Sequence, residues 1–360
     1  MFSSPLSLTA RCVIRFIPVL CAVVGFVSGA QAVDPSPQRY EFTARASEID
    51  PLAKAHPEIE FVFEKGGKPA DVEHASVDTR VAPQGRLVVW LMGHSPALFE
   101  RLNGYGLHAI QVHYANGWFG QFGKEPAPAD SQHLGRIRLE AAMGEDFSPL
   151  VSIPKPDGMM ERAHQFVRWL AQKNPQGGWD QFLSADGKGL RWEKVAVSGS
   201  SHGATTAARF GIHQKVDRVV MFCGPRDQYE DWQGLEPATP RNRFFGFSHV
   251  LDSGWSGDHY PRSWQLLGLQ QFGPLVKVDA VAPPFGFSRR LITDADVKGD
   301  AKKAHSGVVP GGSAAKGSDG KFLHEEVWRY LFMSPVEKVG AAVPAESGVR
   351  MDQRAAKASK

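Results

Sequence analysis

The sequence predicts an α/β fold with a mostly parallel central sheet of about eight strands. Three observations carry that prediction. Short β-rich runs alternate with helix-like stretches along most of the chain. Several of the runs are apolar on both faces, which suits strands covered by helices on either side. A glycine-rich turn joins one such run directly to a helix start. The bulk numbers agree with an ordinary globular chain: 360 residues, 42% hydrophobic and 22% charged. They exclude wholesale disorder, collagen-like repeats and a coiled-coil rod. Lys+Arg number 41 against 38 Asp+Glu, a formal charge of +3. That near-balance gives no ground for a nucleic-acid binder. No repeat of 20–50 residues is visible, so a solenoid or propeller is excluded.

Residues 1–32 read as a secretory signal peptide. Arg11 and Arg15 form a positive region, residues 16–28 (FIPVLCAVVGFVS) an apolar run, and Ala30-Gln31-Ala32 a small-x-small cleavage site. The apolar run is well short of the ~20 residues that cross a bilayer. The expectation is therefore a secreted or periplasmic protein with no stable membrane anchor after cleavage. Cleavage also removes Cys12 and Cys21 and leaves Cys223 alone. A single cysteine closes no internal bridge, so the core must hold without disulfides. Cys223 lies in an apolar run and reads as a buried thiol.

The predicted strands follow in order: 60–64 (EFVFE), 73–80, 87–91 (LVVWL), 108–114 (HAIQVHY), 194–198 (KVAVS), 218–223 (RVVMFC), 244–251 (FFGFSHVL) and 289–293 (RRLIT). Helical spacing appears at 96–102, 157–172, 201–212, 259–271 and 323–332. Residues 115–156 break the rhythm with five prolines and are expected as a lid or cap insertion. Residues 335–360 are polar and rich in small side chains, and are expected as a disordered tail. The folded domain is thus placed at 33–334.

The centre of the reading is Val195-Ala196-Val197-Ser198-Gly199-Ser200-Ser201-His202-Gly203. It holds G-x-S-x-G between an apolar strand and a small-residue helix start. This is the setting of a nucleophile elbow, where the turn is too sharp for side chains at Gly199 and Gly203. The glycine spacing selects Ser201 over Ser200. Ser201 would sit at a helix N-terminus, where the dipole favours developing negative charge.

With these residues on view, positions 60–333 resemble the α/β-hydrolase superfamily. Closer still, they are similar to bacterial secreted serine hydrolases. The shared features are an apolar strand ending in glycine (WLMG, Trp90–Gly93), an aromatic-Asn after the next strand (HYAN, His113–Asn116) and the elbow GSSHG. Met92 stands where histidine usually precedes the glycine, and Ser200 and His202 replace the common His and Gln of the elbow. The resemblance implies the chain order Ser, acid, His. It places the base in the loop after the last strand, at His305. The acid is expected after the penultimate strand, at Asp252, with Asp227 and then Asp258 as alternatives. The oxyanion hole would use the backbone N–H of His202 and one from the loop at His94. Trp118, Phe119 and Trp255 are candidates for a substrate pocket.

Two competing signals are weaker. His324-Glu325-Glu326-Val327-Trp328 opens like a zinc-protease helix, but Trp328 occupies the second ligand position. Asp294, Asp296 and Asp300 resemble a calcium loop only faintly, with Lys298 and His305 at ligand places. No metal or cofactor is expected, and no phosphate-binding glycine motif is present. The expected activity is cleavage of a small-molecule or polymeric carboxylic ester through an acyl-enzyme. A peptidase or acyltransferase using the same site, and a binding protein without chemistry, are the alternatives.

Overall fold

The computed structural model describes residues 36–122, 130–227, 231–256, 259–347 and 349. The predicted signal segment, residues 123–129 of the expected lid, Asp258 and the end of the tail lie outside them. The elements below all belong to one folded unit within Pro37–Lys360. Among the described residues, no helix is long and apolar enough to cross a membrane.

The main sheet has nine strands: β1 (Arg39–Arg45), β2 (Val72–Asp78), β3 (Leu87–Leu91), β4 (His108–Gln111), β5 (Val195–Ser200), β6 (Arg218–Phe222), β7 (Phe244–His249), β8 (Leu275–Lys277) and β9 (Arg290–Thr293). Their spatial order is β1-β2-β4-β3-β5-β6-β7-β9-β8. β1 pairs antiparallel with β2, and β2 antiparallel with β4; the remaining pairs are parallel. Every residue of β3, β6 and β7 is buried, so the two-faced apolar runs are central strands.

Seven helices matter here: α1 (Pro96–Gly104), α2 (His133–Met143), α3 (Met159–Lys173), α4 (His202–His213), α5 (His259–Leu266), α6 (Ala301–Ser306) and α7 (Glu325–Met333). α1 starts at Pro96 because Ser95 caps it, accepting from the Leu98 N–H at 3.3 Å. α4 packs on β3, β5 and β6, and α2 lies over α4. The small side chains of α4 (Ala204, Ala207 and Ala208, all buried) let it approach the sheet closely.

Four expectations need correction. Residues 60–64 are not one strand: a 3-10 turn at Pro57–Ile59 leads to an isolated bridge at Phe61 and a two-residue strand, Glu64–Lys65. Glu60 takes φ 60°, which breaks an extended run. β1 is not among the predicted strands, although Tyr40, Phe42 and Ala44 alternate with polar residues. The expected insertion at 115–156 contains α2, a packed element rather than a long connection, with Ile137, Leu139, Ala141 and Ala142 buried. Finally, residues 335–346 are held against the sheet edge. Arg289 Nη2 donates to the Val336 and Lys338 carbonyls, both at 2.9 Å, and Arg290 meets Glu346 at 2.5 Å. Two buried arginines on β9 and its approach need acceptors, and this segment supplies them.

Candidate active site

The strand β5 ends where α4 begins, and the turn between them is Ser201. Its φ is 55° and its ψ −115°, a strained conformation for a residue with a side chain. The Ser201 N–H donates to the Phe222 carbonyl at 2.9 Å and the Ser201 carbonyl accepts from Thr205 N–H at 3.1 Å, so both flanks hold the turn. A Cβ on Gly203 would sit 1.6 Å from the Leu91 carbonyl oxygen, and one on Gly199 2.3 Å from the Gly203 carbonyl carbon. Only glycine fits either place. The hydroxyl is therefore carried at the C-terminal edge of the parallel strands, at the N-terminus of a twelve-residue helix.

At the same edge, His305 Nδ1 lies 2.5 Å from Asp252 Oδ2. Asp252 follows β7 and is wholly buried; His305 is about one-third exposed, with 31% of its side chain accessible. His305 lies on the short helix α6 rather than in the loop that the sequence suggests, because Asp300 caps it through the N–H groups of Lys302 and Lys303. Burial pushes the Asp252 carboxyl up, but His305, the Gly254 N–H and the Tyr260 hydroxyl hold it below the usual range.

The thiol of Cys223 adjoins the pair. It donates to the His305 carbonyl at 2.8 Å. Burial, and then the charge of Asp252, push it well above its ordinary pKa. Cys223, Asp252 and His305 hold their ligand-type atoms within 4.8 Å of one another. A metal there would compete for the Asp252–His305 hydrogen bond and need the thiol deprotonated, which its burial opposes.

Asp227, the alternative acid, points elsewhere. It forms a buried two-pronged ion pair with Arg138 at 2.7 Å on each arm and accepts from Trp232 Nε1 at 3.1 Å. Arg138 goes on to His202, donating to its carbonyl at 3.2 Å and to its ring Nδ1 at 3.1 Å. Burial, followed by the Arg138 charge, lowers the His202 pKa to about 3. Nothing in the sequence marks Arg138: it stands in a helix whose neighbours in space are distant in the chain. Nor does anything in the sequence mark Tyr260, although it is only eight residues beyond its partner Asp252.

The other predicted residues divide. Phe119 is half-buried with its ring centroid 4.1 Å from that of His202. Trp118 is 1% exposed and lies under the Arg138 guanidinium, so it is core rather than pocket wall. Trp255 is half-buried beside Asp252, its backbone N–H donating to the Asp252 backbone carbonyl at 2.9 Å, and packs on Trp264. The His94 ring stacks on His74 at 4.0 Å and meets the edge of Phe99, so its ring is engaged on β2 and α1. Burial and then His74 push its pKa down to about 4. Ser95, next to it, donates to the Pro310 carbonyl at 2.9 Å and ties this loop to the segment after His305. His324 is a buried helix cap bonded to Thr293 Oγ1 at 3.1 Å, with no second histidine ligand on its helix.

No family profile and no curated protein matches the sequence. Solved structures do. The chain is similar to a serine hydrolase without lid from Xanthomonas campestris (9% identity, 72% of this chain, 84% of that one, TM-score 0.32). It is similar to an acetyl ester-xyloside bifunctional hydrolase from Caldicellulosiruptor lactoaceticus (14%, 71% and 86%, 0.32). It is also similar to esterase B from Lactobacillus rhamnosis (11%, 71% and 75%, 0.30). At these values the likeness carries no argument about substrate.

Proposed function

We propose that this chain, which has the α/β-hydrolase fold, is an exported serine hydrolase cleaving a carboxylic ester. The observation that carries the reading is the 2.5 Å contact of His305 with buried Asp252, at the sheet edge where Ser201 occupies its strained turn. In this reading His305 Nε2 takes the proton of the Ser201 hydroxyl as its oxygen bonds to the ester carbonyl carbon. Asp252 fixes the Nδ1–H tautomer and stabilises the imidazolium. The oxyanion is met by the backbone N–H of His202 and by one from the His94 loop. Collapse expels the alcohol, which receives the proton from His305, and leaves the acyl group on Ser201. Water, activated by the same histidine, then releases the acid. This cycle needs no cofactor.

The test compares the chain from Val33 with its Ser201→Ala variant, using p-nitrophenyl esters and a fluorophosphonate probe. Both labelling and turnover should be lost in the variant, with kcat falling by at least ~10³. Folded wild-type protein that takes no label would remove the hydrolase reading and leave the binding-protein alternative. Amide and acyl-acceptor panels then separate an esterase from a peptidase or acyltransferase.

A further inference from the structure

We infer that the His202 imidazole is a specificity donor: a neutral ring with its proton on Nε2, selecting esters whose acyl chain carries a second oxygen. The inference rests on the hydrolase reading above and deepens it.

The tautomer follows from the partner on the other ring nitrogen. Arg138 has only donors. Its Nη2 lies 3.1 Å from His202 Nδ1, so Nδ1 must accept and the ring proton must be on Nε2. Arg138 cannot swing away. Its guanidinium is wholly buried, paired twice to Asp227, bonded to Thr206 Oγ1 at 3.1 Å and seated 5.0 Å from the Trp118 ring centroid. Protonating His202 would set a second cation against Arg138. Arg226 and His305 also oppose it and Asp227 favours it, with burial the largest cost. The ring therefore stays neutral through ordinary pH.

Position gives the donor its use. His202 is the first residue of α4, directly after Ser201, and its backbone N–H is the one expected to meet the ester carbonyl oxygen. The ring is carried by the same residue as that N–H. Among the described residues, Nε2 has no hydrogen-bond partner. The Phe119 ring beside it offers an apolar surface. An acyl chain laid there meets apolar surface from Phe119 and one N–H from His202. An all-carbon chain leaves that N–H unsatisfied, whereas an ether, hydroxyl or ester oxygen a few bonds from the carbonyl satisfies it. Acyl groups of hydroxy acids, alkoxy acids and diesters belong to this class.

The experiment pairs p-nitrophenyl butyrate with p-nitrophenyl methoxyacetate, and p-nitrophenyl pentanoate with p-nitrophenyl 3-methoxypropionate. In each pair one CH2 becomes O. The readout is the ratio of kcat/KM within a pair, compared between wild type, His202→Phe and His202→Gln. Comparing ratios cancels intrinsic ester reactivity and any general loss of activity. In at least one pair His202→Phe should lower the ratio by about fivefold, and His202→Gln, which keeps an N–H donor, should restore most of it. Independently, long-range ¹H–¹⁵N correlation of the wild type should show His202 as the Nε2–H tautomer, unchanged from pH 5 to 8. Ratios unchanged in both pairs, an Nδ1–H tautomer, or protonation in that range would each overturn the inference. Ester turnover with unchanged ratios sinks the specificity claim alone. No turnover and no fluorophosphonate labelling sinks the hydrolase reading and this inference with it.

Discussion

Asp252 is a carboxylate with no exposed surface, and it stays ionised because three donors converge on it: His305 Nδ1, Gly254 N–H and Tyr260 O–H. Removing its charge while keeping its shape tests what it does. Asp252→Asn should lower kcat by about 10⁴ with little change in KM, because an amide presents its N–H to Nδ1 and favours the wrong tautomer of His305. A loss confined to KM would make Asp252 a packing residue instead. Part of this is legible in the sequence. The glycine spacing selects Ser201, and the family resemblance, not any local pattern, proposes His305 and Asp252. Asp227 sits after a strand as well, so position alone does not separate the two acids. Only the fold shows that Asp227 faces Arg138. Cys223 is readable as buried, but its contact with the His305 carbonyl joins β6 to α6, and no local pattern records such a meeting.

Among the elements, the β5–α4 junction is the least tolerant of change. Gly203→Ala would drive a methyl into the Leu91 backbone carbonyl at 1.6 Å, with no flexible side chain to give way. The expected cost is about 3 kcal/mol or more, read as a lowered denaturation midpoint or a failure to fold. Gly104, in the last turn of α1, has no positive φ, and a methyl added there would meet nothing within 4 Å. Gly104→Ala should leave stability unchanged or raise it by up to ~1 kcal/mol. Equal effects at the two glycines would contradict the close packing of strand and helix. Long apolar strands and amphipathic α3 are legible in the sequence to within a few residues, because burial on one or both faces dictates their pattern. Short elements are not. β8 has three residues at an edge, and α6 owes its existence to the Asp300 cap more than to any apolar periodicity.

The whole molecule shows a dependence that neither a residue nor an element reveals alone. Strand order, and with it the meeting of β1 and β2 with α3, cannot be read from periodicity, which carries no information on which strands pair. That meeting buries Glu73 on β2 completely, with Arg162 of α3 at 3.7 Å, beyond a good hydrogen bond. Loss of solvent outweighs the Arg162 charge and raises the Glu73 pKa from 4.5 to about 8. Below about pH 4.5 the carboxyl is protonated in both the folded and unfolded chain, and its contribution is fully present. As pH rises the unfolded chain ionises first, so folding takes up a proton and stability falls until the folded group also ionises near pH 8. Glu73→Gln keeps the neutral shape and removes the titration. The variant should therefore gain on the wild type steadily from pH 5 to 8, by on the order of 4 kcal/mol in total, and hold a constant margin above that. Denaturant unfolding of both proteins across pH 5–9 measures it. A margin independent of pH would mean that Arg162 keeps Glu73 ionised after all, as a buried ion pair joining β2 to α3.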